Sequence, residues 1–207
     1  MALKLYDWTN SYNSRKILAV AFETDQRVEC HPVNMQAGEH KRPEYIAKNP
    51  NGKVPLLSDG GFHLWESNAI ACYLAAKDPS RRLLPTDPQQ RAVIDQWMFW
   101  QTAHLSTSLG KIGYERIWKK RLGHGEPDES VVEAAMPEVN RFMGVLDQWL
   151  ATHEWIAGNL SVADFCVATT FAMRNEMQFD LKTWPNVMAW VARIESRPSW
   201  QQALKSW

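Results

Sequence analysis

A change of sequence pattern at a proline-rich segment restricts the fold of this chain more than any other feature. Pro79, Pro85 and Pro88 fall within ten residues. Before them, short apolar runs typical of strands alternate with helical patterns, and after them every apolar pattern has helical spacing. The sequence therefore predicts two domains. An α/β domain over residues 1–78 is joined by a linker over 79–87 to an all-helical domain over 88–207.

The first domain is predicted to be a small mixed sheet with helices packed against it. Its segments are, in order, the strand LKLYDW, the helix SRKILAVAFET, the strand VECHPV, the paired strands of VPLLSDGGFHLW and the helix ESNAIACYLAA. Asp59, Gly60 and Gly61 between two apolar runs predict a hairpin, because glycine adopts positive φ at little cost. Pro55 is unexpected here, since proline has no N–H to donate to a sheet ladder.

The second domain is predicted to begin at Asp87 as helix N-cap, with Pro88 as first helical residue. The segment EVNRFMGVLDQWL carries an apolar stripe at helical spacing, and SVADFCVATTFAM is apolar nearly all round. We expect the latter to be a central buried helix. Nine of the eleven tryptophans lie in this half and supply core area first.

Charge and cysteine content argue against several functional classes. Lys and Arg total 23 and cancel 23 Asp and Glu, which gives no electrostatic reason to expect nucleic acid or an anionic membrane as partner. No apolar run approaches the roughly 20 residues of a membrane span, and the N-terminus does not resemble a secretory signal. Cys30, Cys72 and Cys166 are far apart, so neither a zinc site nor a dithiol motif is predicted. Free thiols favour a cytoplasmic location.

Three stretches contain side chains that suit chemistry. In LWESNAI, Glu66 and Ser67 lie where a strand passes into a helix, and Ser67 is the expected N-cap. The arrangement suits an amino-acid head group or is simply a helix cap with an exposed acid. The stretch GEHKRPEYIAKNPNGKVP is a basic loop that either holds a second carboxylate or is only solvated. TNSYNSRK places hydroxyls and amides at a helix entrance, where they cap the helix or donate to a thiolate.

Together these stretches resemble the cytosolic glutathione transferases, especially plant phi-class enzymes and related bacterial serine-type members. The resemblance covers the whole chain. It implies an N-terminal thioredoxin-like domain with a mixed four-stranded sheet and a C-terminal all-helical domain. Within the latter, LSVADF is similar to the buried capping box of the family, with Ser161 and Asp164. It further implies a cytoplasmic, homodimeric detoxification enzyme that takes glutathione as cosubstrate and contains no metal.

The resemblance also implies a glutathione site in the first domain. Ser67 and its N–H would bind the γ-glutamyl carboxylate, and Glu66 would lie near the γ-glutamyl ammonium group. His40 and Lys41 match the loop that holds the glycyl carboxylate.

The cysteinyl part of glutathione would pair with the backbone of Val54, like an added strand. Lys53 flanks this contact. In the resembled fold the Val54–Pro55 peptide bond is cis, which explains the unexpected proline as a bend that turns the polar backbone groups of Val54 toward the ligand.

The implied activating group is Ser11, as a hydrogen-bond donor to the glutathione thiolate rather than a nucleophile. Asn10 and Asn13 occupy the same turn and are the alternative donors. Seven residues are candidates for an electrophile pocket between the domains: Trp8, Tyr12, Trp100, His104, Ser108, Tyr114 and Trp118. A helical packing stripe explains the pattern around Trp100 and His104 equally well.

The predicted function is attack of the activated glutathione thiolate on hydrophobic electrophiles. A glutathione-dependent peroxidase or dehalogenase is an alternative that uses the same site. A non-catalytic member of the fold, used for ligand binding or assembly, is the alternative that lacks turnover.

Overall fold

The computed structural model describes residues 2–8 and 11–206. Their contacts group the chain up to residue 86 together with residues 195–206, and residues 87–194 form a second compact unit. The predicted boundaries placed everything after residue 88 in the helical domain. The C-terminal residues group with the first unit instead, because the last helix packs on the first one.

The first unit contains the predicted mixed four-stranded sheet. Its strands are β1 (Leu3–Asp7), β2 (Val28–Pro32), β3 (Leu56–Asp59) and β4 (Phe62–Trp65). The order across the sheet is β2-β1-β3-β4, with β1 parallel to β2 and the other two pairs antiparallel. The predicted hairpin is confirmed, since Asp59 pairs with Phe62 across a turn in which Gly60 has φ +62°.

Helices cover the sheet of this unit. They are α1 (Tyr12–Glu23), the short α2 (Pro43–Ile46) preceded by a 3₁₀ turn (Glu39–Lys41), α3 (Ser67–Lys77) and α10 (Pro198–Leu204). α1 packs against both α3 and α10. Ile17, Leu18 and Val20 of α1 are buried together with Ile70 and Leu74 of α3, and this apolar layer holds both helices in place.

A buried carboxylate at the end of α1 ties α10 to this unit. Arg197 donates to Glu23 through Nε and Nη2, at 3.1 and 2.6 Å, and the Ser199 hydroxyl donates at 2.5 Å. Arg82 donates through Nη1 at 2.9 Å and also reaches the Glu23 carbonyl. Burial alone raises the pKa of Glu23, but the hydrogen bonds from Arg197, Ser199 and Arg82 outweigh it and hold the pKa below its ordinary value.

Glu23→Gln is expected to lower the free energy of unfolding by about 2 kcal/mol near neutral pH, because charge-assisted hydrogen bonds to two guanidinium groups are lost. A carboxylate with a depressed pKa stabilises the fold above its unfolded pKa, and this contribution disappears as the pH falls through the folded value. The difference between variant and wild type should therefore shrink in acid. Urea unfolding at several pH values measures this difference. The control is Glu133→Gln, which replaces an exposed acid.

The second unit is entirely helical, as predicted. The long helical stretch after the linker consists of α4 (Pro88–Trp100), a π turn (Gln101–Leu105), α5 (Ser106–Gly113), a second π turn (Tyr114–Trp118) and α6 (Lys119–Arg121). It is followed by α7 (Glu129–Leu150), α8 (Val162–Ala168), a 3₁₀ turn (Thr169–Phe171) and α9 (Pro185–Glu195), which ends at the boundary of the unit. Asp87 caps α4 by accepting from the Gln90 N–H at 2.9 Å, which confirms the predicted helix start.

The predicted central helix is α8, in which every residue is buried. The capping box at its start is confirmed: the Asp164 carboxylate accepts from the Ser161 N–H and hydroxyl at 2.9 and 3.0 Å. Its other oxygen accepts from the Ile156 N–H and from Trp190 Nε1, both at 3.0 Å. Burial raises the pKa of Asp164, and these hydrogen bonds oppose that rise. Over the described part of the chain, no helix is both long and apolar enough to cross a membrane.

Candidate functional site

One edge of the sheet brings the three predicted stretches together. Leu56 pairs with Trp65 and with Tyr6, so the start of β3, the end of β4 and the end of β1 lie at the same edge. Val54 precedes β3 by two residues and Ser67 follows β4 by two. The loop to α1 leaves β1 at this edge as well. Segments that are distant in sequence thus leave the sheet side by side.

The start of α3 presents a backbone N–H, that of Ser67, for which the described part of the chain supplies no acceptor. Glu66 is the N-cap residue, with φ +70°, and Ser67 is the first helical residue, so the interpretation of Ser67 as N-cap was wrong. The positive φ of Glu66 costs free energy for a non-glycine residue, and such strain is concentrated at ligand sites. It also leaves the Glu66 side chain exposed beside the positive end of the helix dipole.

The Val54–Pro55 peptide bond is cis, as predicted. Lys53, which precedes Val54, is held by α2 and the residues that follow α2. Its carbonyl accepts from the Tyr45 hydroxyl at 2.8 Å and from Asn49 Nδ2 at 2.7 Å. Within residues 2–8 and 11–206, neither the N–H nor the C=O of Val54 takes part in a backbone hydrogen bond. Val54 therefore presents both polar backbone groups of one residue at a position that the neighbouring chain fixes.

The basic loop lies next to this position. His40 and Lys41 form most of the 3₁₀ turn, with His40 half-buried and Lys41 exposed. Nδ1 of His40 is buried and has no hydrogen-bond partner among the described residues. Gly52 has φ +55°, and a Cβ there would lie 3.2 Å from the His40 carbonyl and 3.0 Å from Ile46, so the loop packs closely against the turn before Lys53. The side chain of Lys53 itself is exposed.

Ser11 is the N-cap of α1. Its Oγ accepts from the Ser14 N–H at 3.4 Å, and its own N–H donates to the Trp8 carbonyl at 2.9 Å. No described residue accepts the hydroxyl proton of Ser11, so the oxygen caps the helix while the O–H remains available to a ligand. The alternative donor Asn10 lies outside the described residues.

The other alternative, Asn13, lies in the first turn of α1. It is exposed, and its Oδ1 accepts from the Ser67 hydroxyl at 3.4 Å. Next to this contact, the buried Lys16 donates to Asn68 Oδ1 at 2.5 Å. These two bonds connect the first turn of α3 to α1. The role of Lys16 was not predicted from the sequence, although a cation among the apolar residues of α1 was a signal for a specific partner.

The supporting residues Tyr45 and Asn49 were missed as well. Tyr45 is buried at 7% and Asn49 at 1% exposure, and both act on the Lys53 carbonyl. A buried asparagine between prolines and lysines of a surface loop has no periodic signature, so only the folded loop reveals its role.

Two candidates for electrophile contacts belong to the first unit. Trp8 is 42% exposed, directly after β1. Tyr12, the first residue of α1, lies beneath the Arg15 guanidinium, whose carbon is 4.9 Å from the ring centroid. Both lie on the loop and helix start that also carry Ser11.

The remaining candidates belong to the second unit, and three lie near the first π turn. Trp100 is half-buried and meets Trp97 edge to face at 5.2 Å. His104 is exposed and stacks on Phe142 with ring centroids 5.1 Å apart. Ser108 is fully buried, and its hydroxyl donates to carbonyls of the preceding turn, so its placement gives no support to ligand contact.

Tyr114 and Trp118 begin and end the second π turn. The Tyr114 hydroxyl lies 2.9 Å from His124 Nδ1, and Trp118 has the Arg121 guanidinium over its ring. Isolated π turns occur frequently at functional sites, because they shift side chains out of the regular helical register. The predicted pocket that would combine these residues with those of the first unit stays a prediction.

Comparison with known proteins identifies the family. The model described as "Glutathione S-transferase, N-terminal domain" matches residues 1–76, and "Glutathione S-transferase, C-terminal domain" matches residues 96–198. The chain belongs to the glutathione S-transferase family. The resemblance found in the sequence, including the thioredoxin-like sheet and the helical domain, is therefore confirmed.

Individual members of the glutathione S-transferase family match nearly the whole chain. "Probable glutathione S-transferase GSTF2" of Oryza sativa subsp. japonica is 32% identical over 203 residues, covering 97% of this chain and 94% of the rice protein. Maize glutathione S-transferase I, solved with an atrazine glutathione conjugate, has a TM-score of 0.90 at 28% identity, covering 99% of this chain and 97% of that one. The theta-class enzyme of Xanthomonas axonopodis pv. citri, solved with glutathione bound, has a TM-score of 0.87 at 30% identity, covering 100% and 98%.

Proposed function

We propose that this glutathione S-transferase family member binds glutathione at the sheet edge and transfers its thiolate to hydrophobic electrophiles. The proposal is supported by the backbone of Val54, whose N–H and C=O pair with no backbone group of the described residues and which lies at the same edge of the sheet as the N-terminus of α3. An extended peptide ligand can add to such a backbone edge as a short strand.

The proposed contacts divide glutathione into three parts. The γ-glutamyl carboxylate accepts from Ser67 and its N–H at the start of α3, where the helix dipole favours an anion. Its ammonium group lies near the exposed Glu66 carboxylate. The cysteinyl backbone pairs with Val54, beside Lys53. His40 and Lys41 hold the glycyl carboxylate, and the unpartnered Nδ1 of His40 supports this role.

Activation of the thiol is assigned to Ser11. A free thiol has a pKa near ~8.5, so only a few per cent is thiolate at neutral pH. The Ser11 O–H, which no described residue accepts, and the N-terminus of α1 would stabilise the anion, since hydrogen bonds and positive dipoles favour the charged form. The thiolate then attacks an electrophilic carbon, and the leaving group departs with the bonding electrons.

The accompanying proposals are a homodimer, a cytoplasmic location and an electrophile pocket with contributions from Trp8, Tyr12 and the aromatic residues near the π turns. Among the described residues, no three His, Cys, Asp or Glu side chains lie close enough to hold a metal ion. The proposed chemistry requires none.

Ser67→Ala is expected to weaken glutathione binding about tenfold, because one hydrogen bond to a carboxylate is lost. Isothermal titration with glutathione measures the dissociation constant, and turnover of glutathione with chlorodinitrobenzene measures transfer. The control is Ser130→Ala, which removes an exposed serine from the first turn of a different helix, α7.

The wild-type protein decides between the alternatives. Glutathione binding without turnover of any electrophile, peroxide or haloalkane in a substrate panel would indicate a non-catalytic member. Turnover of peroxides or haloalkanes alone would replace transfer by peroxidase or dehalogenase activity. Equal affinity of Ser67→Ala and wild type would contradict the assigned carboxylate contact.

A further inference from the structure

A carboxyl group without a partner is buried at the edge of the sheet that carries the proposed site. Asp7 is the last residue of β1 and has 0% exposure. Neither carboxylate oxygen makes a hydrogen bond of ordinary geometry to a described residue. Buried polar groups are nearly always paired, because an unpaired one costs the full desolvation penalty. The position of Asp7, four residues before Ser11, therefore calls for a functional explanation.

The described groups linked electrostatically with Asp7 come from three elements, α1, β2 and α2. Ser14 of α1 is fully buried, and its hydroxyl likewise makes no hydrogen bond of ordinary geometry within the described chain. Cys30 of β2 and Tyr45 of α2 also face Asp7, and no described cation forms an ion pair with it.

Burial dominates the acidity of these groups. It raises the pKa of the Asp7 carboxyl to about 7, against a smaller lowering by the Ser14 hydroxyl. Burial, with a further rise from the charge of Asp7, raises the pKa of Cys30 to about 11. Burial also raises the pKa of Tyr45, to about 12. Asp7 is thus the member of this group that changes charge near neutral pH.

Ser14 connects Asp7 to the activating residue. Its hydroxyl lowers the pKa of the Asp7 carboxyl, and its N–H donates to Ser11 Oγ at 3.4 Å. A protonated Asp7 can donate to the Ser14 oxygen, whereas an ionised Asp7 can only accept from it. The protonation state of Asp7 therefore acts on the residue that holds Ser11.

We propose that Asp7 is a positioning residue whose proton controls how readily the thiol of glutathione bound at Ser11 ionises. The inference rests on the proposed function. A neutral Asp7 leaves the loop free of negative charge, and the thiolate forms. An ionised Asp7 places a second negative charge in the same poorly solvated region, where like charges oppose each other's ionisation. The carboxyl and the thiol then titrate as a coupled pair.

Asp7→Asn tests this coupling, because it keeps the shape of the side chain and removes its charge. Ultraviolet absorbance of the thiolate in the glutathione complex gives the titration curve. The wild-type curve is expected to be broadened by coupling, whereas the variant should titrate in one step with its midpoint lower by roughly one pH unit. Asp25→Asn, which changes an exposed acid just after α1, should leave the wild-type curve unchanged.

A second measurement uses only the wild-type protein and does not depend on the folding of a variant. The carboxyl resonances of ¹³C-labelled aspartate are followed against pH with glutathione and with S-methylglutathione, which has no ionisable thiol. Coupling is reciprocal, so the thiolate should raise the titration midpoint of Asp7 in the glutathione complex alone.

The outcomes separate this inference from the proposed function. If wild type does not bind glutathione, both are overturned. If wild type binds glutathione but the thiolate curves of wild type and Asp7→Asn coincide, this inference alone is overturned. Equal Asp7 midpoints with glutathione and S-methylglutathione would also overturn this inference and leave the proposed function standing.

Discussion

Asp164→Ala is expected to lower the free energy of unfolding of this protein by about 3–5 kcal/mol. The carboxylate accepts from Ile156, Ser161 and Trp190, all of them buried. Alanine leaves the N–H groups of these residues without an acceptor, and each unpaired buried donor costs about 1–3 kcal/mol. These donors surround the start of α8, whose residues are all buried. A local rearrangement therefore cannot expose them to water at a low cost in free energy.

Urea denaturation followed by tryptophan fluorescence measures the change, with activity recorded on the folded fraction. The matched control is Asp87→Ala, which removes an exposed N-cap acid from α4 and is expected to cost about 1 kcal/mol. Equal losses for the two variants would show that burial of the Asp164 network contributes nothing beyond ordinary capping.

Ser11→Ala is expected to reduce kcat/KM for glutathione and chlorodinitrobenzene about 10²-fold at neutral pH, since a donor to a developing anion is removed. Removal of the donor is expected to raise the pKa of the bound thiol by about two units, which corresponds to roughly 2.7 kcal/mol, and so to lower the fraction of glutathione present as thiolate. The deficit should become smaller as the pH rises toward the ordinary thiol pKa of ~8.5, because the thiol then ionises without help.

Steady-state kinetics across this pH range measure the effect. Ser11→Thr keeps both the hydroxyl and the N-cap and should retain most of the activity. Asn13→Ala and Asn10→Ala test the alternative donors, and we expect much smaller losses because the activating hydrogen bond is assigned to the Ser11 hydroxyl. Full turnover of Ser11→Ala together with a large loss in an asparagine variant would transfer the activating role to that residue.

Much of the fold could be predicted because it depends on short-range chemistry. Asp87 with Pro88 predicts a helix start, and Asp59, Gly60 and Gly61 predict a hairpin, since each needs only local backbone geometry. The explanation of Pro55 had a different source. Its cis bond followed from resemblance to the glutathione transferases, and the structure contains it.

The candidate site was predictable only in part. The stretches around Ser11, Val54 and Ser67 were recognised, but the assignment of Ser67 as N-cap was wrong, because the φ of Glu66 is set by the passage from β4 into α3. The burial of Ser108 was also not visible in its sequence, since a polar residue on a helix satisfies its hydroxyl within the helix when its neighbours cover it.

By itself, the sequence determined the family, the mixed sheet, the helical unit and the segments that carry the proposed glutathione site. Tertiary structure alone decided that α10 packs on α1 through Glu23 and that Asp7 is buried without a hydrogen bond of ordinary geometry to any described residue. The physical reason is the separation along the sequence of the groups that interact. Turns, caps and periodic stripes depend on neighbours within a few residues, whereas burial and pairing of a charge depend on segments that only folding brings together.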